Sequence, residues 1–82
     1  MLDVRILTTH QCLFEGRAMQ VTLPGEAGVF EVYRFHRPLV SRLLSGVVLV
    51  DELAIPIARG VVKVERNGVT AIVDPDGDPQ QR

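Results

Sequence analysis

The chain has 82 residues, of which 46% are hydrophobic, and its formal net charge is −1 at pH 7. This length is enough for one domain with a thin core, and the apolar content is too high for an intrinsically disordered chain. The near-neutral charge argues against a dedicated nucleic-acid-binding protein, because such proteins owe most of their affinity to neutralising phosphates.

The amino terminus and the cysteine content indicate where the protein resides. Cys12 is the one cysteine, so no disulfide can form within the chain, which is typical of a reducing compartment. Asp3 and Arg5 lie where the apolar segment of a signal peptide would be. No apolar run reaches the roughly 20 residues that a membrane-spanning helix requires. We therefore expect a cytoplasmic protein that does not insert into the membrane.

Alternation of apolar and polar residues with a period of two dominates the chain from its start. It appears in the runs LDVRI, RAMQVTL and VFEVY. This pattern, together with many β-branched residues, predicts half-buried β-strands. The faces expected to be buried carry Leu2, Val4, Ile6, Met19, Val21, Leu23, Phe30 and Val32.

Turn signals separate these runs at short intervals. They are TTHQ after the first run, the cluster PGEAG at residues 24–28, Asp51–Glu52, and Asn67–Gly68 between two β-rich runs. Asn-Gly in that context is a strong signal for a β-hairpin. Glu15–Gly16 interrupts the second run, so we expect a β-bulge there.

Two segments allow more than one interpretation. PLVSRLL, residues 38–44, has leucines at helical spacing but is short enough to be a strand or a single helical turn. Pro56 lacks a backbone donor, so its strand is expected at a sheet edge or at a bulge. The sum of these signals predicts an all-β domain over residues 1–74, a two-sheet antiparallel β-sandwich of roughly seven to ten short strands. The polar residues 75–82 are expected to form a disordered tail.

Candidate chemical sites are weak. His10, Cys12 and His36 lack the spacing of a zinc site, and Cys12 is better read as a small buried hydrophobic residue. PGEAG is not followed by the Lys and Ser/Thr of a phosphate-binding loop, so it is read as a turn. The carboxylates of Glu26 and Glu31 fit charges at a rim better than a glycosidase pair. We therefore predict no catalytic residue, no metal site and no cofactor.

The stretch FEVYRFHRPLVSR, residues 30–42, holds the one local basic cluster. It contains Arg34, His36, Arg37 and Arg42 among aromatic residues. A solvated loop, a protein-docking loop and a nucleic-acid surface are all consistent with this composition. The overall charge makes nucleic acid the least favoured of the three.

Four motifs occur in an order that resembles a known family. They are Phe14-Glu15-Gly16, the turn from Leu23 to Gly28, His36-x-Pro38-Leu39, and Asn67-Gly68-Val69-Thr70. Over residues 2–74 the chain is similar to the amino-terminal β-sandwich of the epsilon subunit of F-type ATP synthases. The resemblance implies a rotor component of the central stalk with no chemistry of its own. It would lie at the inner face of the cell membrane, as a peripheral part of the synthase.

The resemblance also implies two protein partners, which are the gamma subunit and the polar loops of the membrane c-ring. Through them the subunit would link ring rotation to ATP synthesis. The positions that match gamma contacts of the family are Thr8, His36, Arg37, Pro38 and Ser41. The positions that match its ring contacts are Glu26, Val29 and Glu31.

The chain departs from the family in the arginine-rich stretch. Where the family usually reads Phe-Gly-Ile-Leu-Pro-Gly-His-Ala-Pro, this chain has Glu31, Arg34, Phe35 and Arg37 in place of two glycines, a proline and an alanine. We expect a changed loop shape and a gamma subunit that has diverged with it. The family continues into an inhibitory two-helix hairpin, so we expect a short form without it. The alternative is a stand-alone β-sandwich that binds proteins through residues 30–42.

Overall fold

The computed structural model describes residues 1–75, and these residues form eight β-strands. The strands are β1 (Leu2–Leu7), β2 (Cys12–Ala18), β3 (Gln20–Gly25), β4 (Gly28–Tyr33), β5 (Leu39–Leu43), β6 (Gly46–Val50), β7 (Leu53–Glu65) and β8 (Gly68–Pro75). The all-β prediction and the expected number of strands are confirmed. Over this range, no helix has the length and apolar character needed to cross a membrane.

The strands form two layers. The first layer has the order β2-β1-β8-β7-β5, and the second layer has the order β4-β3-β6-β7. All pairs of neighbouring strands are antiparallel except β1 and β8, which run parallel. The expected antiparallel arrangement therefore holds with one exception, which places the first strand of the chain beside the last one.

Strand β7 belongs to both layers. Its first part pairs with β6 from Leu53 to Ile57, and its second part pairs with β5 and β8. The register with β8 shifts between Ile57 and Arg59, which is the irregularity of a β-bulge. A bulge bends its strand and increases the local twist, so a single strand of 13 residues can pass from one layer to the other.

A single aliphatic core lies between the layers. Every side chain classed as buried in the described part of the chain is apolar. Residues from both layers join one cluster, with Phe14 and Phe30 half-buried at its border. The cluster comprises Leu2, Val4, Ile6, Ala18, Val21, Leu23, Val32, Leu43, Val48, Val50, Ile57, Val62, Val64, Val69, Ala71 and Val73. The alternation predicted for the first and third runs of the sequence is therefore confirmed.

The run RAMQVTL is not one strand, contrary to the sequence prediction. Strand β2 ends at Ala18 and β3 begins at Gln20, so Met19 lies at the junction and is exposed instead of buried. The expected bulge at Glu15–Gly16 is also wrong. These residues pair regularly with β1, and the register shifts instead where Leu7 pairs with Cys12. Glycine permits a bulge, but the register imposed by the neighbouring strand decides where one forms.

Both segments that allowed more than one interpretation form strands. Leu39–Leu43 forms β5, because all five of its residues pair with β7. Pro56 pairs with Val47 of β6 and has no strand on its other side, so the expected edge position is confirmed. The predicted hairpin near Asn67 is confirmed as well, although its two-residue loop is Arg66–Asn67 and neither Asn67 nor Gly68 has a positive φ.

The end of β8 reaches just past the predicted domain boundary. Pro75 is its last residue and pairs with Ile57. The remainder of the predicted polar tail, residues 76–82, lies outside the described residues.

Asp51 connects the β6–β7 turn to the junction between β2 and β3 through three hydrogen bonds. Its backbone is left-handed, with φ of 52°, a conformation that Asp tolerates better than most residues. Its carboxylate Oδ1 accepts hydrogen bonds from the backbone N–H groups of Met19 (2.9 Å) and Gln20 (3.1 Å). Its own N–H donates to the carbonyl of Gln20 at 3.1 Å.

We expect Asp51→Ala to lower the free energy of unfolding by about 1–2 kcal/mol, because two N–H groups lose a charged acceptor. Asp51→Asn retains an acceptor oxygen and the tolerance for positive φ, so its loss should be smaller. Urea unfolding of both variants measures the difference. Equal losses would contradict this role for the side-chain oxygen.

Close packing at Gly60 gives a second stability test. A Cβ at Gly60 would lie 2.6 Å from the carbonyl oxygen of Ile72, whereas a Cβ at Gly68 would have no neighbour nearer than 3.6 Å. We expect Gly60→Ala to destabilise the domain by about 1–3 kcal/mol through overpacking. Gly68→Ala, the matched control, should leave the unfolding midpoint unchanged or raise it. Similar midpoints for both variants would refute the close approach of β7 to β8.

Candidate interaction surfaces

The loop of residues 34–38 joins β4 to β5, and we call it the arginine loop. The backbone N–H of Phe35 donates to the carbonyl of Arg66 at 2.7 Å. The N–H of His36 donates to the carbonyl of Tyr33 at 3.2 Å. The first bond fixes the arginine loop against the β7–β8 turn, so residues far apart in sequence meet at one end of the sandwich, and the second closes the loop on the end of β4.

Phe35 has an unusual backbone for a bulky residue. Its φ is 68°, in the left-handed region that costs an L-residue roughly 1–2 kcal/mol relative to ordinary backbone. The residue is 62% exposed, so burial of its side chain offsets little of that cost. The glycine that the resembling family has at this position would adopt the same backbone without strain.

Three arginines belong to the two loops that meet at Phe35. The guanidinium of Arg34 lies over it, 4.8 Å from the ring centroid, a geometry worth about 0.5–1 kcal/mol at an exposed site. Arg37 follows in the arginine loop, and Arg66 is joined to Phe35 through the backbone bond. We call Arg34, Phe35, Arg37 and Arg66 the arginine end. Among residues 1–75, no ion pair involves any of its three arginines.

The structure divides the basic cluster of the sequence. Arg42 pairs with Val61, and its carbonyl accepts a hydrogen bond from the N–H of Glu26 at 3.1 Å. It therefore lies at the end of β5 remote from the arginine loop. Arg66 takes its place in the cluster, and sequence reasoning missed it because the only signal was its position at the tip of a predicted hairpin.

The five expected gamma contacts do not form one patch. His36, Arg37 and Pro38 are contiguous, and His36 Nδ1 lies 2.7 Å from the carbonyl oxygen of Arg37. Thr8 lies beyond the far end of β1, where its hydroxyl accepts N–H bonds within the β1–β2 turn. Ser41 is half-buried, on the opposite face of β5 from the exposed Val40. Only the contiguous residues are thus placed to act together.

The expected ring contacts do lie close together. Val29 and Glu31 point outward from β4, which has a neighbour on one side only, and Glu26 lies in the turn before this strand. The hydroxyl of Tyr33, next on the same face, donates to Glu31 Oε1 at 2.7 Å. This bond to the carboxylate raises the pKa of Tyr33 above its ordinary value. The side chains form one stripe along the edge of the second layer.

The outer faces of the two layers differ in charge. On the second layer, Glu31 is the one charged residue among the described outward positions of β3, β4, β6 and the first part of β7. Charged residues alternate along the first layer and include the ion pairs Asp3–Arg17 and Lys63–Glu65. Its outward charged residues include Asp3, Arg5, Glu15, Arg17, Arg42, Lys63 and Glu65. Depletion of charge is typical of the centre of an interface, so the second layer has the more interface-like face.

The residues considered for a zinc site are not brought together. His10 and Cys12 lie at the β1–β2 turn, at the other end of the sandwich from His36. Cys12 is exposed, so its assignment as a buried hydrophobic residue is wrong, because it begins the edge strand β2. In residues 1–75, no three His, Cys, Asp or Glu side chains are grouped to hold a metal ion.

Comparison with known proteins gives a match along the whole described chain. Residues 1–75 match the model of the family described as ATP synthase, Delta/Epsilon chain, beta-sandwich domain. The chain is 38% identical over 79 residues to the ATP synthase epsilon chain of Sulfurovum sp. (strain NBC37-1). It is 40% identical over 79 residues to the ATP synthase epsilon chain 2 of Burkholderia orbicola (strain AU 1054).

The relatives extend beyond the matched region. The alignments cover 90% and 89% of this chain but 62% and 52% of the two relatives, so the chain spans between about half and two thirds of their length. In fold it is similar to a chain in the cryo-EM structure of the central stalk and c-ring of Tetrahymena thermophila mitochondrial ATP synthase. The TM-score is 0.72 at 15% identity, covering 89% of this chain and 63% of that one. By its sequence match and its two-layer β-fold, the chain belongs to the family of ATP synthase delta/epsilon β-sandwich domains.

Proposed function

We propose that the chain works in the rotor of an F-type ATP synthase as an epsilon-type stalk component. In this role it links the gamma subunit to the c-ring and transmits rotation between ion transport and ATP synthesis. It contributes no catalytic residue, takes no cofactor, and lies as a peripheral component at the inner face of the cell membrane.

The family match over residues 1–75 is the observation that carries this proposal. Two relatives above 30% identity are named ATP synthase epsilon chains, and a similar fold occurs in a central stalk and c-ring assembly. The region shared with the relatives is the β-sandwich, so the role proposed here is the mechanical one of that domain.

The geometry supports a division of the surface between the two partners. The stripe of Val29, Glu31 and Tyr33 lies on a sheet edge and is assigned to the c-ring, with Glu26 at its end. His36, Arg37 and Pro38 are assigned to gamma. A rotor chain must hold both partners at once. Glu26 and Val29 lie at the end of β4 remote from the arginine loop, whereas Tyr33 adjoins it.

A stand-alone protein-binding module is the second candidate function. The arginine end favours it, because Arg and exposed aromatic residues are enriched at binding sites and this combination departs from the family pattern. Co-purification with the gamma subunit encoded in the same genome separates the two functions, since only the stalk component should retain gamma and the ring together.

The proposed function predicts that loss of the chain uncouples the synthase. Membranes from a deletion strain should lose gradient-driven ATP synthesis, and expression of the full chain should restore it, because torque no longer passes through an incomplete stalk. ATP synthesis in inverted vesicles measures this. Undiminished synthesis in the deletion strain would refute the stalk role.

The ring contact predicts a specific effect of Val29→Ser. Val29 is 72% exposed, so the substitution should leave stability unchanged while removing apolar area from the interface. We expect about tenfold less c-ring retained by tagged chain, with gamma still bound. Val40→Ser is the matched control, because Val40 is 70% exposed on the outer face of the other layer. Equal ring retention by both variants would refute the assignment of β4 to the ring.

A further inference from the structure

We propose that the arginine end recognises an acidic segment of the gamma subunit and that Phe35 is its apolar anchor. The identity of the partner rests on the proposed function. The chemistry of the site rests on the arrangement of Arg34, Phe35, Arg37 and Arg66. The first three lie within residues 30–42, and Arg66 joins them only in the folded chain.

Unpaired positive charge is the first argument. Three acidic residues of the adjoining strands have partners of their own, since Asp3 pairs with Arg17, Glu65 pairs with Lys63 and Glu31 accepts from Tyr33. The three arginines of the arginine end have no ion pair within the described part of the chain. Their guanidinium groups are therefore available for bidentate bonds to carboxylates of a partner.

The backbone of Phe35 is the second argument. A bulky residue in left-handed backbone with an exposed ring is unfavourable for the isolated chain, and such strain clusters at functional sites. The bond to Arg66 and the bond from His36 to Tyr33 hold the backbone in place. Arg34 covers one side of the ring. The backbone that carries the ring is thus held in place, which reduces the entropy lost on binding.

The surface beside Phe35 is the third argument. An open concavity of about 420 Å³ is lined by His36, Arg37, Pro38 and Leu39. It can receive one aliphatic side chain of the partner, while Arg37 on its wall pairs with a neighbouring carboxylate. The preferred sequence is therefore an apolar residue next to Asp or Glu.

A protein segment fits this site better than nucleic acid. The chain has a net charge of −1, and the charges on the outer face of the first layer include both members of ion pairs. Nucleic-acid binding draws its affinity from an extended basic surface, which this chain lacks among residues 1–75. Three arginines on two adjoining loops, one of them over an aromatic ring, provide a local site for a short acidic segment.

Charge reversal tests the arginines. Arg34→Glu, Arg37→Glu and Arg66→Glu in the full chain should each weaken binding to the purified gamma subunit about tenfold, as measured by calorimetry. Arg42→Glu is the matched control, since Arg42 belongs to the same basic stretch of sequence but lies at the remote end of β5. It should bind gamma as the wild type does. Raising the ionic strength should weaken wild-type binding more than binding by the triple variant, which combines Arg34→Glu, Arg37→Glu and Arg66→Glu.

Phe35→Gly separates binding from folding. Glycine adopts the left-handed backbone freely, so this variant should melt at the same temperature as the wild type or higher. It should nevertheless bind gamma about fivefold to tenfold more weakly, because the anchoring ring is gone. A variant that melts at the wild-type temperature or higher but binds gamma more weakly cannot have lost its affinity through partial unfolding.

The outcomes separate the two proposals. If the wild-type chain does not bind gamma, the stalk function and this site both fail. If it binds gamma and the three charge reversals bind equally well, the stalk function stands and this inference is overturned. Binding of a single-stranded RNA oligonucleotide that is lost in the triple variant, with gamma binding unchanged, would also overturn it in favour of nucleic acid.

Discussion

Strand β7 is the main connection between the two layers, because it pairs along its length with strands of both. Strands β3 and β5 also meet across the layers, but at a single pair, Gly25 with Leu43. Its first part completes the second layer against β6, and its second part lies between β5 and β8 in the first. The bulge after Ile57 allows one chain to serve both. Because β7 passes from one layer to the other, the inner faces of the two layers lie opposite each other and share one aliphatic core.

The same strand positions the surface that we assign to recognition. β7 ends at Glu65, and the turn that follows places the carbonyl of Arg66 against the N–H of Phe35. A small β-domain offers few buried positions for function, so its specificity must come from loops held by the sheets. Here one backbone hydrogen bond of 2.7 Å joins two such loops into a single site.

The outer faces show how a domain of this size divides its surface between solvent and partners. The first layer carries ion pairs, which favour contact with water, beside the exposed Val40, Val61 and Ile72. The second layer has Glu31 as its one charged outward residue among those described, and that carboxylate is bonded to Tyr33. An apolar outer face is unfavourable when exposed, so this layer is best explained as a surface that a partner covers.

Local patterns in the sequence were sufficient for the fold class. Period-two alternation marked the buried faces of β1 and β4, and turn residues marked the hairpins, because both are properties of neighbouring residues. Misplacement of the bulge at Glu15–Gly16 has a physical reason, since a bulge depends on the register with the facing strand. Exposure of Met19 likewise follows from a strand break that the alternation did not show.

The candidate site depended more strongly on tertiary structure. The sequence placed Arg34, Arg37 and Phe35 in one stretch, and the family resemblance marked where glycines had been replaced. It did not indicate that Arg66 would join them, that Arg42 would lie elsewhere, or that Phe35 would keep a left-handed backbone. It also did not reveal the parallel pairing of β1 with β8. Alternation tells which side of a strand is buried, but it carries no information about which strand lies beside it or in which direction that strand runs.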